Sequence, residues 1–251
     1  MTDRFLSRVG PVVSLLIAGA LVGCVEQSAR VVADPGTAVE AELLPLPIFS
    51  AGDAVEKNWR AVTVWGESEI RLVAQEGEIA IRAETDKSSI ALIRGVEIDP
   101  GLCPEVEWLW RVDAMPLEAD LASRQAEDVA ASVFFAFGDP GAFTNPDPVP
   151  TIRYAWATET NPVDEVVDSP YFPGVIRTVV VRSGPADLET WITERRNIVA
   201  DYELAFGEKP EDEIEVFAIF TDSDHDNGPA IANYRWARAL CTELPEGPSI
   251  F

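Results

Sequence analysis

From Trp59 onward the sequence alternates with period two, in many short runs punctuated by glycine and proline. Successive side chains of a strand point to opposite faces, so runs of this kind form half-buried strands. Ala61 to Trp65, Ile79 to Glu84 and Ser89 to Ile98 read as strands, delimited by Gly66, Gly77 and Pro100. In Glu105 to Val112 the residues Val106, Trp108, Trp110 and Val112 share one face, opposite Glu107, Leu109 and Arg111. Two tryptophans on one face predict core, with a binding platform as the other reading. Val129 to Phe137 is the most apolar run, and Ile152 to Ala157 and Val175 to Arg182 follow between proline-broken loops at 138–150 and 161–174.

One segment departs from this period. Between Leu188 and Phe206, Trp191, Ile198, Tyr202 and Phe206 recur at helical spacing, with Gly207 as the expected C-cap and Pro210 beyond it. The last stretch, Glu213 to Leu240, is two alternating runs flanking an acidic loop. Together these elements predict a mainly β chain: a two-sheet antiparallel β-sandwich of jelly-roll type with one late amphipathic helix.

The N-terminus predicts export. Arg4 and Arg8 precede an apolar run from Val12 to Val22, about half of the roughly 20 residues that a membrane-spanning helix needs. Residues 1–23 therefore read as a signal peptide. Its end, Leu21-Val22-Gly23-Cys24, resembles the lipobox of bacterial lipoproteins, in which the cysteine receives diacylglycerol. An ordinary secretory signal is the alternative. Val25 and Glu26 stand where an aspartate would imply inner-membrane retention, which points to the outer membrane, facing the periplasm. Residues 24–47, free of aromatics and broken by Pro35, Gly36, Pro45 and Pro47, read as a lipidated tether, and 48–251 as one sandwich domain. The pairs Val31-Val32 and Leu43-Leu44 leave open that the second half of the tether packs on the domain as an edge strand.

The formal net charge of −24 excludes a nucleic-acid or anionic-headgroup partner, since no basic run is longer than Arg195-Arg196. Only Cys103 and Cys241 remain after lipidation. They form one disulfide in an oxidising compartment or stay as two buried thiols.

The strand EVEWLWRV, the pair Glu127-Asp128 before an apolar strand, the YAWA strand, the tryptophan-led segment ending DYELAFG and the IFTDSD loop occur in this order. This order resembles a bacterial family known as domain of unknown function 3047, over roughly residues 48 to 240. The resemblance implies an exported, β-rich domain related to carbohydrate-binding sandwiches. Glu127, where the family pattern has aspartate, and His225-Asp226 in the acidic loop depart from it.

The sequence contains a single histidine, His225, which argues against zinc sites built on several histidines and against a Ser-His-Asp triad. There is no nucleotide-binding or H-E-x-x-H motif. Asp222, Asp224 and Asp226 match the first three ligand positions of an EF-hand, but the glycine is displaced to Gly228 and Asn233 stands at the twelfth position. A calcium site at a strand end and a solvated acidic turn both stay open. The candidate ligand-binding residues are Asp128, Asp222, Asp224 and Tyr171, with Phe143 and Phe172 as further loop aromatics. Asp128 is expected beside Arg153 or Arg111. The expected function is a non-catalytic, glycan-binding envelope lipoprotein. One alternative is a polysaccharide hydrolase using two carboxylates among Glu107, Asp128, Asp222 and Asp224; a structural lipoprotein is the other.

Overall fold

The computed structural model describes residues 42–52, 59–141, 147–225 and 228–244. The signal peptide, Cys24, the first part of the tether, Phe143 and Asp226 lie outside the described residues. Among those described, thirteen strands form two sheets, joined by one helix, within a unit spanning Ala41–Phe251. No described helix is long and apolar enough to cross a membrane.

The first sheet comprises β1 (Leu44–Ser50), β3 (Glu69–Gln75), β4 (Glu78–Thr85), β6 (Glu105–Ala114), β11 (Ile192–Asn197) and β13 (Ala230–Cys241). Its order is β11-β6-β13-β4-β3, with β1 on the far half of β13. Residues 44–47 of the expected tether thus form an edge strand, where Pro45 and Pro47 leave no inner ladder donor missing and Ile48 and Phe49 are buried. The second sheet has the order β2 (Arg60–Trp65), β5 (Ser89–Ile98), β12 (Ile214–Asp222), β7 (Val129–Phe137), β8 (Thr151–Ala157), β10 (Ile176–Ser183), β9 (Val166–Asp168). Neighbours are antiparallel except β8 and β10, which run parallel because the chain between them crosses over through β9.

The inner faces of the two sheets meet in an aromatic core. Trp108 stacks on Tyr154 at 5.0 Å, Trp110 lies 6.0 Å from Trp156, and Phe135 packs edge-on to Phe217 at 5.2 Å. The tryptophan pair of β6 is core, as its alternation predicts; Trp108 and Trp110 are 1% and 0% exposed. Cys103 and Cys241 form a disulfide that joins the start of β6 to the end of β13.

The helix is shorter than the sequence predicts. α1 covers Ile198–Phe206, while residues 192–197 form β11 against the free edge of β6, Ile192 opposite Trp110 and Asn197 opposite Glu105. The pairing wins because Glu194 and Arg196, which a helix would leave in solvent, both find partners. Glu194 accepts from Arg182 Nε at 2.6 Å, and Arg196 binds Asp201 through Nε and Nη2 at 2.9 and 2.7 Å. Asn197 ends the strand and caps the helix, its Oδ1 accepting from the Ala200 N–H at 2.9 Å. Gly207 is the C-cap, at φ 83°. Tyr202 packs on Phe137 at 4.6 Å, and Tyr154 donates to the buried Asp201 at 2.8 Å, so α1 closes one end of the core.

Candidate functional site

The outer face of the seven-stranded sheet is also largely apolar. One end of it is covered by the segment from Met115 to Asp128. Leu121 lies there in a second, smaller cluster with Val129, Ala155, Val167 and Val180. Two hydrogen bonds fix the segment: Leu121 N donates to Asn161 Oδ1 at 2.9 Å, and Thr158 Oγ1 donates to the Ala119 carbonyl at 2.6 Å. Its last two residues, Glu127 and Asp128, are thereby delivered to the mouth of β7, where β12 ends.

The remainder of this face is an open groove of about 470 Å³. Phe134 and Phe220 lie on its floor, 5.9 Å apart and nearly perpendicular, and Phe172 stands on its wall, 55% exposed. Arg60, Asp147 and Thr151 are the polar groups along it. Behind Phe134 the guanidinium of Arg153 lies 5.8 Å from the ring and pairs with Glu127 at 2.6 Å, so the apolar groove runs directly into a charged cluster.

That cluster is built from two loops and one visiting aromatic. His225 donates its backbone N–H to Asp128 Oδ1 at 3.1 Å, and its ring Nδ1 lies 3.2 Å from the same oxygen and 2.6 Å from Asp224 Oδ1. Asp222 Oδ1 accepts the backbone N–H of Asp224 at 3.2 Å, a local turn that sets the carboxylates on successive sides of the strand end. Tyr171 reaches in from the loop before β10; its hydroxyl is 3.2 Å from His225 Nε2 and donates to the Arg124 carbonyl at 2.9 Å. The Arg124 guanidinium covers the Tyr171 ring at 4.8 Å.

The crowding shifts the acids. Burial pushes the Asp222 carboxyl up to about 8, with Asp224 and Asp128 adding to the rise and the Asp224 N–H opposing it. Asp224 is raised as well, by burial first; His225 pulls it back and Asp128 pushes it further up. The end of the groove therefore holds a set of carboxylates that cannot all ionise without cost.

The four residues singled out in the sequence, Asp128, Asp222, Asp224 and Tyr171, lie together at this end. Arg153, expected beside Asp128, pairs with the preceding residue Glu127. Arg111 is on the other sheet, bound to Asp113. Glu107 is there too, held by Arg238 Nε at 2.6 Å, and so is remote from the cluster. Among the described residues the side chains able to share one metal ion are Asp128, Asp224 and His225, whose ligand atoms all lie within 4.8 Å of one another. This set differs from the expected Asp222, Asp224 and Asp226, since Asp222 is turned to the Asp224 N–H and Asp226 is outside the described residues. The alternation pattern does not mark the groove aromatics Phe134 and Phe220. Their strands are apolar on both faces, so alternation gives no means of separating floor from core.

The family described as "Protein of unknown function (DUF3047)" matches residues 57–237. No curated protein matches the sequence. Among solved structures, the family 11 carbohydrate-binding module of the cellulosomal cellulase Lic26A-Cel5E of Clostridium thermocellum aligns with a TM-score of 0.42 at 8% identity, covering 82% of this chain and 99% of that one. An endo-1,4-β-glucanase, CelB2, aligns with a TM-score of 0.41 at 13% identity over 74% of this chain and 93% of its own. A xylan-binding domain of Paenibacillus barcinonensis Xyn10C, CBM22-1, gives 0.35 at 10% identity over 81% and 96%.

Proposed function

The chain belongs to the DUF3047 family, and from that premise we propose that it is a ligand-binding envelope protein that holds a glycan on the outer face of its seven-stranded sheet without cleaving it. The groove carries this reading. A cleft of about 470 Å³ lined by Phe134, Phe172 and Phe220, with a few polar groups and a carboxylate cluster at one end, offers both things a sugar needs. Aromatic rings pack against the apolar C–H faces of pyranoses, and fixed polar groups orient the hydroxyls. The net charge of −24 favours a neutral saccharide over a polyanion. The lipobox Leu21-Val22-Gly23-Cys24 supports delivery to the outer membrane by diacylglycerol on Cys24, with the sandwich in the periplasm.

The test is a glycan array followed by calorimetry with the neutral polysaccharides that bind. Phe172 is half exposed, so Phe172→Ala leaves the fold in place while weakening binding by about tenfold, the worth of one aromatic stacking contact. Absence of binding to every neutral glycan overturns the reading. Release of reducing sugar that disappears in Asp222→Asn replaces it with the hydrolase, and silence in both assays replaces it with a structural lipoprotein.

A further inference from the structure

We propose that the groove takes the acyl chain of a neutral glycolipid, with the sugar head at the carboxylate end and the chain running away from it along β12. The headgroup rests on the glycan reading above, and the chain on the groove alone. Fifteen of the eighteen residues lining the groove carry no polar side chain, and the other three offer a sugar little. Arg60, on the edge strand β2, and Asp147 are exposed, and the Thr151 hydroxyl is spent on the Val149 carbonyl, to which it donates at 2.9 Å. The wall before β8 is closed on itself in the same way. The Asp147 N–H donates to the Pro140 carbonyl at 2.8 Å and the Gly141 N–H to Asp139 Oδ1 at 2.7 Å. Sugar hydroxyls laid along this stretch would give up water without gaining partners, whereas methylenes gain from the same surface.

The outward residues of β12 grade from apolar to acid. Val216, Ala218 and Phe220 line the groove in turn, and Asp222, the next outward position, belongs to the carboxylate cluster. At about 3.4 Å per residue these four positions span about 20 Å. Ala218 is opposite Ile93 on β5 and Phe134 on β7, so the floor dips between two larger side chains. Phe172 follows Tyr171, whose hydroxyl is 3.2 Å from His225, which puts aromatic and hydroxyl-binding groups at the cluster end. Charge decides the kind of head. A net charge of −24 repels phosphate, sulfate and carboxylate heads, and favours a neutral, hydroxyl-bearing one. The same charge repels a second copy, and a groove of about 470 Å³ suits a small ligand, whereas a protein partner needs a buried patch of about 800 Å² a side.

The experiment is calorimetry with alkyl glycosides that carry one sugar head and chains of increasing length, each below its micelle concentration, beside the free sugar. Affinity should rise by about two- to fourfold for each added methylene until the trough is full. Ala218→Phe and Ala136→Leu put bulk into the trough, on the face of the sheet away from the aromatic core. Each should flatten that rise while circular dichroism shows the parent fold. An affinity that is the same for every chain length overturns the proposal and leaves the glycan reading to the array. A rise that survives in both variants also overturns it, as does a sulfate head that binds as tightly as the sugar on the same chain. If an oligo(ethylene glycol) head serves as well as the sugar, the chain assignment is upheld and the glycan reading falls.

Discussion

Arg153 Nη1 lies 2.6 Å from Glu127 Oε1, and both side chains are more than nine-tenths buried. The pair joins the covering segment to β8 and stands between the groove and the carboxylate cluster. Two ions taken out of water hold each other weakly in net terms, but removing one leaves the other buried and uncompensated.

Glu127→Ala should therefore cost about 3–5 kcal/mol in urea unfolding. The double replacement Glu127→Leu with Arg153→Met should recover most of that loss, because neither ion of the pair is then left uncompensated. A single variant as stable as the parent would mean that Arg153 finds another partner, and the covering segment would not depend on this pair.

On the opposite sheet, Asp113 is gripped by Arg111 Nε and Arg82 Nη1, each at 2.6 Å, and by Asn233 Nδ2 at 3.1 Å. Burial alone would raise its carboxyl, but these hydrogen bonds outweigh burial and hold it below 3.8. A depressed carboxyl stabilises the fold above its unfolded value and loses that contribution as pH falls through its folded one. Asp113→Asn should accordingly be less stable than the parent at pH 7, and the difference should shrink as pH drops below about 4. Unfolding curves of the two proteins across that range check this; a gap that stays constant would remove the carboxylate's charge as the cause.

Positions 192–197 separate what the sequence makes legible from what it hides. The core strand β6 is read correctly because its alternation carries Trp108 and Trp110 on one face, and burial follows that pattern directly. In β11 the inward residues are Glu194 and Arg196, which look solvent-exposed until Arg182 and Asp201 are brought beside them. β3 carries no sequence signal for a related reason: it is an edge strand whose faces carry Arg71 and Glu69 beside exposed Leu72, so no dry face marks it. At the site, Asp128 and His225 are 97 residues apart, and only the adjacency of β7 and β12 makes them neighbours.

Asn197 is where the strand becomes a helix, and its side chain satisfies the otherwise orphaned Ala200 N–H. Asn197→Ala should cost about 1 kcal/mol, and Asn197→Asp should retain most of the stability because a carboxylate caps equally well. Thermal unfolding of the pair distinguishes a cap from a residue that is merely exposed, since in the latter case both substitutions would be neutral.

The disulfide between Cys103 and Cys241 closes a loop of 138 residues, from the turn before β6 to the end of β13. Because β6 and β13 are already paired along most of their length, from Ile231 opposite Ala114 to Leu240 opposite Glu105, the bridge adds little order to the folded state. Its main effect falls on the unfolded chain, whose ends it ties together. In the loop-entropy account a closure of this length is worth about 4–5 kcal/mol. Reduction, or Cys103→Ser with Cys241→Ser, should lower the unfolding free energy by that order while leaving far-ultraviolet circular dichroism unchanged at low temperature. If the spectrum of the reduced protein changes before any denaturant is added, the bridge is holding the β6–β13 register itself, and the entropic account fails for this chain.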